Sequence, residues 1–172
     1  MKKLVLNITN HDTENRFLDA VLQPSIEMSS SGRFKMICGD QDQLLELTSQ
    51  TDTLLINVTS FASDIPEAFD SEGNPYDAFI AYNEDEGRPN DEVLSQVKKV
   101  FAKKVCPSFN VGTNPPFIKN VAGTTSCPSF TMALNRNLYM NEKERTIIQS
   151  SYKLSSFFNE LYRSILTINS FE

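Results

Sequence analysis

Short, strongly apolar runs typical of β-strands recur along the chain, and their alternation with other segments most constrains the fold. The segments between these runs have the composition of helices or loops. Alternation of this kind predicts a parallel sheet whose strands are connected by helices. The predicted strands cover residues 3–8, 33–38, 53–58, 76–82 and 105–111.

Two of these runs contain a stretch that is apolar at every position, namely residues 54–56 and 79–81. A strand that is apolar on both faces is typical of a sheet covered by helices on each side. We therefore expect a doubly wound α/β fold. Because 172 residues is a usual length for one domain, we expect residues 1–172 to form a single domain.

Apolar residues at helical spacing predict a helix between residues 90 and 104. Asn90 or Asp91 is available as its N-cap, and lysines occupy its last turns, where they complement the helix dipole. The apolar positions are Val93, Leu94, Val97, Val100 and Phe101.

A second helix is predicted at the C terminus, beginning at the capping-box-like run 141–144. Its apolar face consists of Leu154, Phe158, Leu161 and Ile165. The first helix is predicted from about Thr13, with a kink or restart at Pro24, which lacks an amide donor, and an end marked by Gly32.

Residues 112–139 contain three prolines and show no clean period, so we predict a long loop with at most a short strand or turn inside it. A loop of this length is usually functional or binds a partner.

The formal charge of −6 disfavours binding to nucleic acid or to an anionic membrane, because either partner requires a basic surface. The apolar run at the N terminus is too short for a signal peptide, and no run approaches the length of a membrane span.

Three widely spaced cysteines fit a reducing compartment, so we expect a cytoplasmic protein. His11 is the single histidine, which leaves one candidate base and argues against a metal site.

In an open parallel sheet, ligands bind beyond the carboxyl ends of the strands. This rule selects three loops, at residues 9–16, 59–66 and 82–89. The first leads into a helix whose free amides could hold a phosphate, although Asp12 or Thr13 could simply cap that helix. In the second, Phe61 could lie against a flat ring or in the core. The third carries consecutive carboxylates, which are usually a solvated face but could act as an acid–base pair.

These loops resemble motifs of the flavodoxin-like NADPH-dependent FMN reductases, a family that includes quinone reductases and azoreductases. Residues 8–15 take the place of the GSxRxxSxN-type phosphate loop, with Thr13 and Asn15 matching its Ser and Asn. Residues 59–69 are similar to the PEYNxSxPxxLK motif at an aromatic, a proline and a large apolar residue. Further along, 76–82, 91–104, 105–107 and 138–145 resemble the family's later strands and helices.

The resemblance implies a flavodoxin-like three-layer sandwich with a five-stranded parallel sheet. It also implies an FMN-dependent oxidoreductase that takes electrons from NAD(P)H, passes them to a small-molecule acceptor and forms a homodimer. By resemblance, Thr9, Thr13 and Asn15 would hold the phosphate. The flavin ring would be lined by Thr59, Ser60, Phe61 and Ala62, and closed on its far side by Tyr82, Asn83 and Gly87.

Other functions stay open. The motif glycines are missing, which favours a flavodoxin-like binding or regulatory module that has lost its flavin and uses residues 83–86 or 112–139 for a partner. A receiver-like variant would place Asn57 where a phosphoaccepting aspartate is expected. A third alternative is an N-glycosidase related to deoxyribosyltransferases, with Glu92 as nucleophile. Cys106 and Cys127 are expected to be packing residues rather than a redox pair.

Overall fold

The computed structural model describes residues 1–9, 15–27, 32–50, 52–84, 86–107, 109–118 and 127–172, with only the backbone described at 15 and 24–27. The main sheet contains β1 (Lys3–Ile8), β2 (Phe34–Cys38), β3 (Thr53–Phe61), β4 (Ala78–Ala81), β5 (Val111–Thr113) and β6 (Ser129–Asn135). A small hairpin consists of β7 (Met140–Asn141) and β8 (Thr146–Ile147). The helices are α1 (Asn15–Glu27), α2 (Gln41–Thr48), α3 (Asp91–Lys104) and α4 (Tyr152–Ile165).

The six strands of the main sheet lie in the order β2-β1-β3-β6-β4-β5. Strands β1, β2, β3 and β6 are parallel, whereas β4 runs antiparallel to β6 and carries β5 parallel to itself. A flavodoxin-like sheet has five parallel strands in the order 2-1-3-4-5. The fold is therefore mixed α/β with a mostly parallel sheet, and the expected five-stranded flavodoxin-like sandwich is not confirmed.

The additional strand, β6, lies within the stretch that the sequence predicts as a loop. All of its residues are buried, and it pairs with β3 over seven positions. Phe130, Met132 and Leu134 alternate with small or polar residues, so the segment lacks the continuous apolar character of the other central strands. The strand predicted at 105–111 is also displaced, because Val105 caps α3 and β5 starts only at Val111.

One face of the sheet is covered by α1, α3 and α4, which form the main core. Leu6, Ile56 and Met132 from three neighbouring strands pack there, together with Phe101 and Phe158. The predicted apolar face of α4 is confirmed, since Leu154, Phe158, Leu161 and Ile165 are all fully buried. Burial of this large apolar surface is the main stabilising contribution to the fold.

The second face carries α2 and two smaller apolar clusters. Between these clusters the sheet presents a polar row across three strands: Asn7, Asn57 and Thr131 are direct register partners and are buried. The Asn7 Nδ2 donates to Asn57 Oδ1 over 2.9 Å. The two sheet faces therefore differ, and polar side chains are concentrated on the face opposite α1, α3 and α4.

The predicted N-cap of α3 is confirmed, because Asn90 Oδ1 accepts a hydrogen bond of 2.9 Å from the Val93 amide. Asn90 Nδ2 also donates to the Ser170 carbonyl, at 2.6 Å. Helix α1 runs through Pro24 without a restart, and Gly32 lies beyond its end with a φ of 68°. The expected start at Thr13 is outside the described residues.

The C-terminal helix starts at Tyr152, later than the predicted 141–144. Asn141 Oδ1 accepts from the amides of Lys143 and Glu144, and this turn connects β7 to β8 instead of starting a helix. In the described part of the chain, no α-helix is long and apolar enough to cross a membrane.

Candidate active site

A polar cluster occupies the carboxyl ends of β3 and β6. The register pairs Phe61 with Asn135, so Arg136, the next residue, lies beside the end of β3. Arg136 Nε donates to Ser60 Oγ over 3.2 Å, and its Nη1 lies 3.8 Å from Glu142 Oε2. The Arg136 side chain is only 17% exposed, so its guanidinium connects the end of β3 to the turn that carries Glu142 at a mostly buried position.

Glu142 is bound from two directions. Its Oε1 accepts hydrogen bonds from the Ser63 amide, at 3.0 Å, and from the Ser63 hydroxyl. Its Oε2 faces Arg136. Hydrogen bonds to an ionised carboxylate are stronger than those between neutral groups. The carboxylate is therefore held in one orientation while 24% of the side chain stays exposed to solvent.

Asn135 fixes the turn that carries Arg136. Its Oδ1 accepts from the Asn137 amide at 3.0 Å, while its Nδ2 donates to the Tyr76 carbonyl at 2.9 Å. The Asn135 amide also donates to the Asp77 carbonyl. Because β4 is antiparallel to β6, its first residues reach the carboxyl edge of β6 and brace the site there.

A cleft of about 420 Å³ opens beside Glu142. Its lining combines the apolar side chains of Met140 and Ile148 with charged and amide groups. The lining residues are Ser63, Asp64, Asn137, Met140, Asn141, Glu142, Lys143 and Ile148. The volume is in the range of small-molecule sites in proteins. The cluster thus places a fixed carboxylate on the wall of a space that a small ligand could enter.

Several predicted site residues lie near this edge. Thr59 and Ser60 are half-buried at the end of β3, followed by Ala62 in the next loop. Phe61 is buried against Phe79, with ring centroids 5.1 Å apart, which matches its interpretation as a core residue. Thr9 follows β1 and is buried, with its amide bonded to the Val58 carbonyl. Thr13, and the side chain of Asn15 at the first position of α1, lie outside the described residues.

The other predicted residues, Tyr82, Asn83 and Gly87, follow β4 and lie at the opposite edge of the sheet. The Ser129 amide at the start of β6 donates to the Gly87 carbonyl over 2.9 Å. This separation follows from the reversed direction of β4, which the sequence did not reveal. In the same loop Arg88 makes ion pairs with Glu84 and Asp91, as expected for a solvated charged face.

The residues considered for the alternative functions, and the two cysteines expected to be packing residues, lie outside the polar cluster and the cleft. Asn57 is 1% exposed and lies inside β3, four residues before the strand ends. Glu92 is exposed in the first turn of α3. Cys127 is buried in the α2 cluster, and Cys106 packs against the main core. Among the residues that the structure describes, no three His, Cys, Asp or Glu side chains form a group that could hold a metal ion.

Arg136 and Glu142 were missed in the sequence because their positions depend on β6. If residues 129–135 are assigned to a strand, the rule for carboxyl ends selects Asn135 and Arg136 at once. Glu142 carries no comparable signal, since its acidic neighbourhood is equally typical of a helix start.

No protein-family model matches the sequence, and neither does any curated protein. Solved structures are similar over nearly the whole chain. The N-acetylmuramoyl-L-alanine amidase from Clostridium difficile 630 is 11% identical with a TM-score of 0.59, over 98% of this chain and 99% of that one. The CwlD amidase from Clostridioides difficile, solved in complex with the GerS lipoprotein, is 14% identical with a TM-score of 0.58, over 98% and 100%.

A third similar structure is N-formylglutamate amidohydrolase from Ralstonia eutropha JMP134, with 16% identity and a TM-score of 0.53. The match covers 66% of this chain but only 44% of the amidohydrolase. The chain therefore spans less than half of that protein. At these identities the similarity shows a shared fold.

These neighbours overturn the expected family. They are amidases and an amidohydrolase, not flavodoxin-like FMN reductases. The assignments of an FMN-dependent NAD(P)H oxidoreductase, of FMN as cofactor and of NAD(P)H as electron donor are therefore wrong. The alternative of a flavodoxin-like module without flavin is not supported either. The short motif matches carry no information on strand order, and in this sheet β6 separates β3 from β4.

Proposed function

We propose that this chain hydrolyses the amide bond of a small N-acylated amino acid. Two of the similar structures have names that describe an amino acid acylated on nitrogen: N-formylglutamate and N-acetylmuramoyl-L-alanine. Fold similarity alone does not establish an activity, so the proposal depends on the site.

The observation that carries the proposal is the position of Glu142. Its carboxylate lines the cleft, while Ser63 and Arg136 hold its two oxygens. A general base must lie within hydrogen-bonding distance of the proton that it removes, and a fixed orientation lowers the cost of reaching that geometry. A water molecule bound in the cleft beside Glu142 would meet the first requirement, and the contacts with Ser63 and Arg136 meet the second.

In the proposed reaction, a water oxygen attacks the carbonyl carbon of the amide while Glu142 accepts the proton of that water. The carbonyl oxygen becomes an oxyanion, for which the side-chain amide of Asn137 in the same cleft supplies a donor. Glu142 then returns the proton to the nitrogen as the C–N bond breaks. The products are a carboxylic acid and an amine.

Arg136 acts on this reaction through Glu142. Its Nη1 lies 3.8 Å from Glu142 Oε2, so it helps Ser63 to hold the carboxylate in one orientation. The contact with Ser60 ties Arg136 to β3, so the Glu142 side of the cleft stays aligned with the sheet.

The test is an assay of purified protein against N-formyl-L-glutamate, N-acetyl-L-alanine and N-acetyl-L-leucine. Released primary amine is measured by fluorescamine, and the released acid by proton NMR. We expect at least one substrate to yield amine and acid in equal amounts, in proportion to protein concentration. Absence of both products from all three substrates would reject hydrolysis of this substrate class.

A further inference from the structure

We infer that the substrate has a free carboxylate, recognised by Lys143, and an aliphatic group that lies against Ile148. This inference rests on the proposed function, because it assigns the substrate of the same cleft. It adds a specificity determinant that does not take part in the proposed proton transfers.

Lys143 is an exposed cation on the cleft wall, next to Glu142 in the chain. Its amide donates to Asn141 Oδ1 over 3.1 Å, so the main chain at this position is fixed by a turn. Among the described residues, its ammonium group has no hydrogen-bond or ion-pair partner. The Lys143 side chain thus starts from a fixed point on the cleft wall, and its charge is available to an anionic ligand.

The two other charges in the cleft define where that anion binds. Glu142 is bound to Ser63 and Arg136, and Asp64 lies exposed elsewhere on the lining. Both are carboxylates and repel a carboxylate ligand. Of the lining residues that the structure describes, Lys143 is the one whose charge is opposite to that of the ligand, and it sets the ligand's orientation.

The aliphatic part of the ligand is indicated by the hairpin residues. Ile148 is half-buried just after β8 and offers apolar surface to a ligand, whereas Met140, at the start of β7, is 1% exposed and belongs to the core beside the cleft. The Ile148 amide donates to the Tyr139 carbonyl over 3.0 Å, which fixes the main chain of Ile148 at the cleft. An aliphatic group placed there removes apolar surface from water. That group is supplied either by the amino-acid side chain or by the acyl chain.

The experiment compares wild type with Lys143→Met on N-acetyl-L-leucine and on N-acetyl-L-leucinamide, which lacks the carboxylate. Lys99→Met, at an exposed position of α3, is the matched control. We expect Lys143→Met to raise KM for N-acetyl-L-leucine about fivefold, the range of an exposed ion pair, at unchanged kcat. The same variant should leave KM for the leucinamide unchanged. Equal effects on the two compounds, or none on either, would overturn the role of Lys143.

A second arm identifies the source of the aliphatic group. Ile148→Asn is compared with Ile147→Asn, a neighbouring exposed position outside the cleft lining. A loss of affinity of about fivefold for N-acetyl-L-leucine but not for N-hexanoylglycine assigns the side chain, and the reverse assigns the acyl chain. If Ile148→Asn changes the affinity for each ligand no more than Ile147→Asn does, the apolar contact is contradicted.

Calorimetric titration with N-acetyl-L-leucine separates this inference from the proposed function. Binding that weakens in Lys143→Met, in a protein that releases no amine, would support the inference and reject hydrolysis. Amine release with no dependence on Lys143 would support hydrolysis and reject the inference.

Discussion

Ser63 donates both its amide and its hydroxyl to one carboxylate oxygen of Glu142, across 79 positions of the chain. The loop after β3 is thereby joined to the β7–β8 hairpin. Arg136 lies near the other oxygen and completes the attachment. A surface glutamate usually samples several rotamers, whereas a carboxylate with partners on both oxygens is preorganised for chemistry.

The hydroxyl of Ser63 provides the first prediction. Ser63→Ala removes one donor to Glu142 and keeps the amide donor, so the carboxylate becomes less well oriented without losing all contact. We expect kcat for amide hydrolysis to fall about tenfold, equivalent to one hydrogen bond to a charged group, with little change in KM. Ser71→Ala, in an exposed loop, is the control. An unchanged kcat would show that the hydroxyl does not position Glu142.

The geometry of the Arg136 side chain gives a second prediction. A lysine at position 136 keeps the positive charge, but it lacks the planar guanidinium whose separate nitrogens contact Ser60 and Glu142 at the same time. We expect Arg136→Lys to lower the free energy of unfolding by about 1 kcal/mol, the value of a typical hydrogen bond. Urea denaturation measures this difference, and Arg163→Lys at an exposed site of α4 should leave stability within error. Equal stability of both variants would contradict a bridging role for Arg136.

Close packing at Gly112 leads to a third prediction. A Cβ built on Gly112 would lie 2.5 Å from the Cδ1 and Cε1 atoms of Phe79, closer than carbon atoms approach in proteins. The Phe79 ring is packed against Phe61 and Phe117 and has little space to move. We expect Gly112→Ala to cost about 1–3 kcal/mol of stability.

The cause of that cost can be tested with Phe79→Leu. A smaller side chain removes the overlap, so the two substitutions together should cost less than the sum of their separate effects. Thermal or urea unfolding of wild type, the two single variants and the double variant gives the coupling free energy between the two positions. Strict additivity would show that the ring is not the obstacle.

Cys38 gives a prediction about pH. Cys38 is exposed, but partial desolvation of its sulfur, and then the hydrogen bond of 3.2 Å to Asp19, raise the pKa of the thiol to about 11 from 9.0. Since only the thiolate reacts rapidly, alkylation by iodoacetamide at pH 8 should be slower than for an unfolded cysteine, and Asp19→Asn should accelerate it. Equal alkylation rates for wild type and Asp19→Asn would contradict the contribution of Asp19.

The same shift affects stability. Because the pKa of Cys38 is higher in the folded state, its contribution is fully present below pH 9 and is lost as the pH rises from about 9 to about 11. A Cys38→Ser variant, measured by urea denaturation across this range, should show a weaker fall in stability than wild type.

Local features of the fold were predictable from the sequence. The N-cap at Asn90 and the apolar face of α4 depend on residues within a few turns of each other, so their patterns are complete in the sequence itself. The position of β6 and the direction of β4 depend on pairing between distant segments. The composition of a buried run such as 78–81 is the same whether its strand lies parallel or antiparallel to its neighbours.

The candidate site shows the consequence of that limit. Ser60 lies at the carboxyl end of β3, where it was expected, because its strand was recognised. Tyr82 was assigned to the same edge only because β4 was taken as parallel to its neighbours. Arg136 and Glu142 were missed, since one follows an unrecognised strand and the other lies in a hairpin that resembled a helix start.

The central claim is tested most directly by amine release from an N-acyl amino acid by wild type, Glu142→Gln and Glu144→Gln. Glu144 is exposed, lies two positions from Glu142 and is outside the cleft lining, so it is the matched control. Loss of a general base should reduce kcat at least about 100-fold in Glu142→Gln, while Glu144→Gln stays at the wild-type rate. Equal turnover by Glu142→Gln and wild type would contradict the proposed active site.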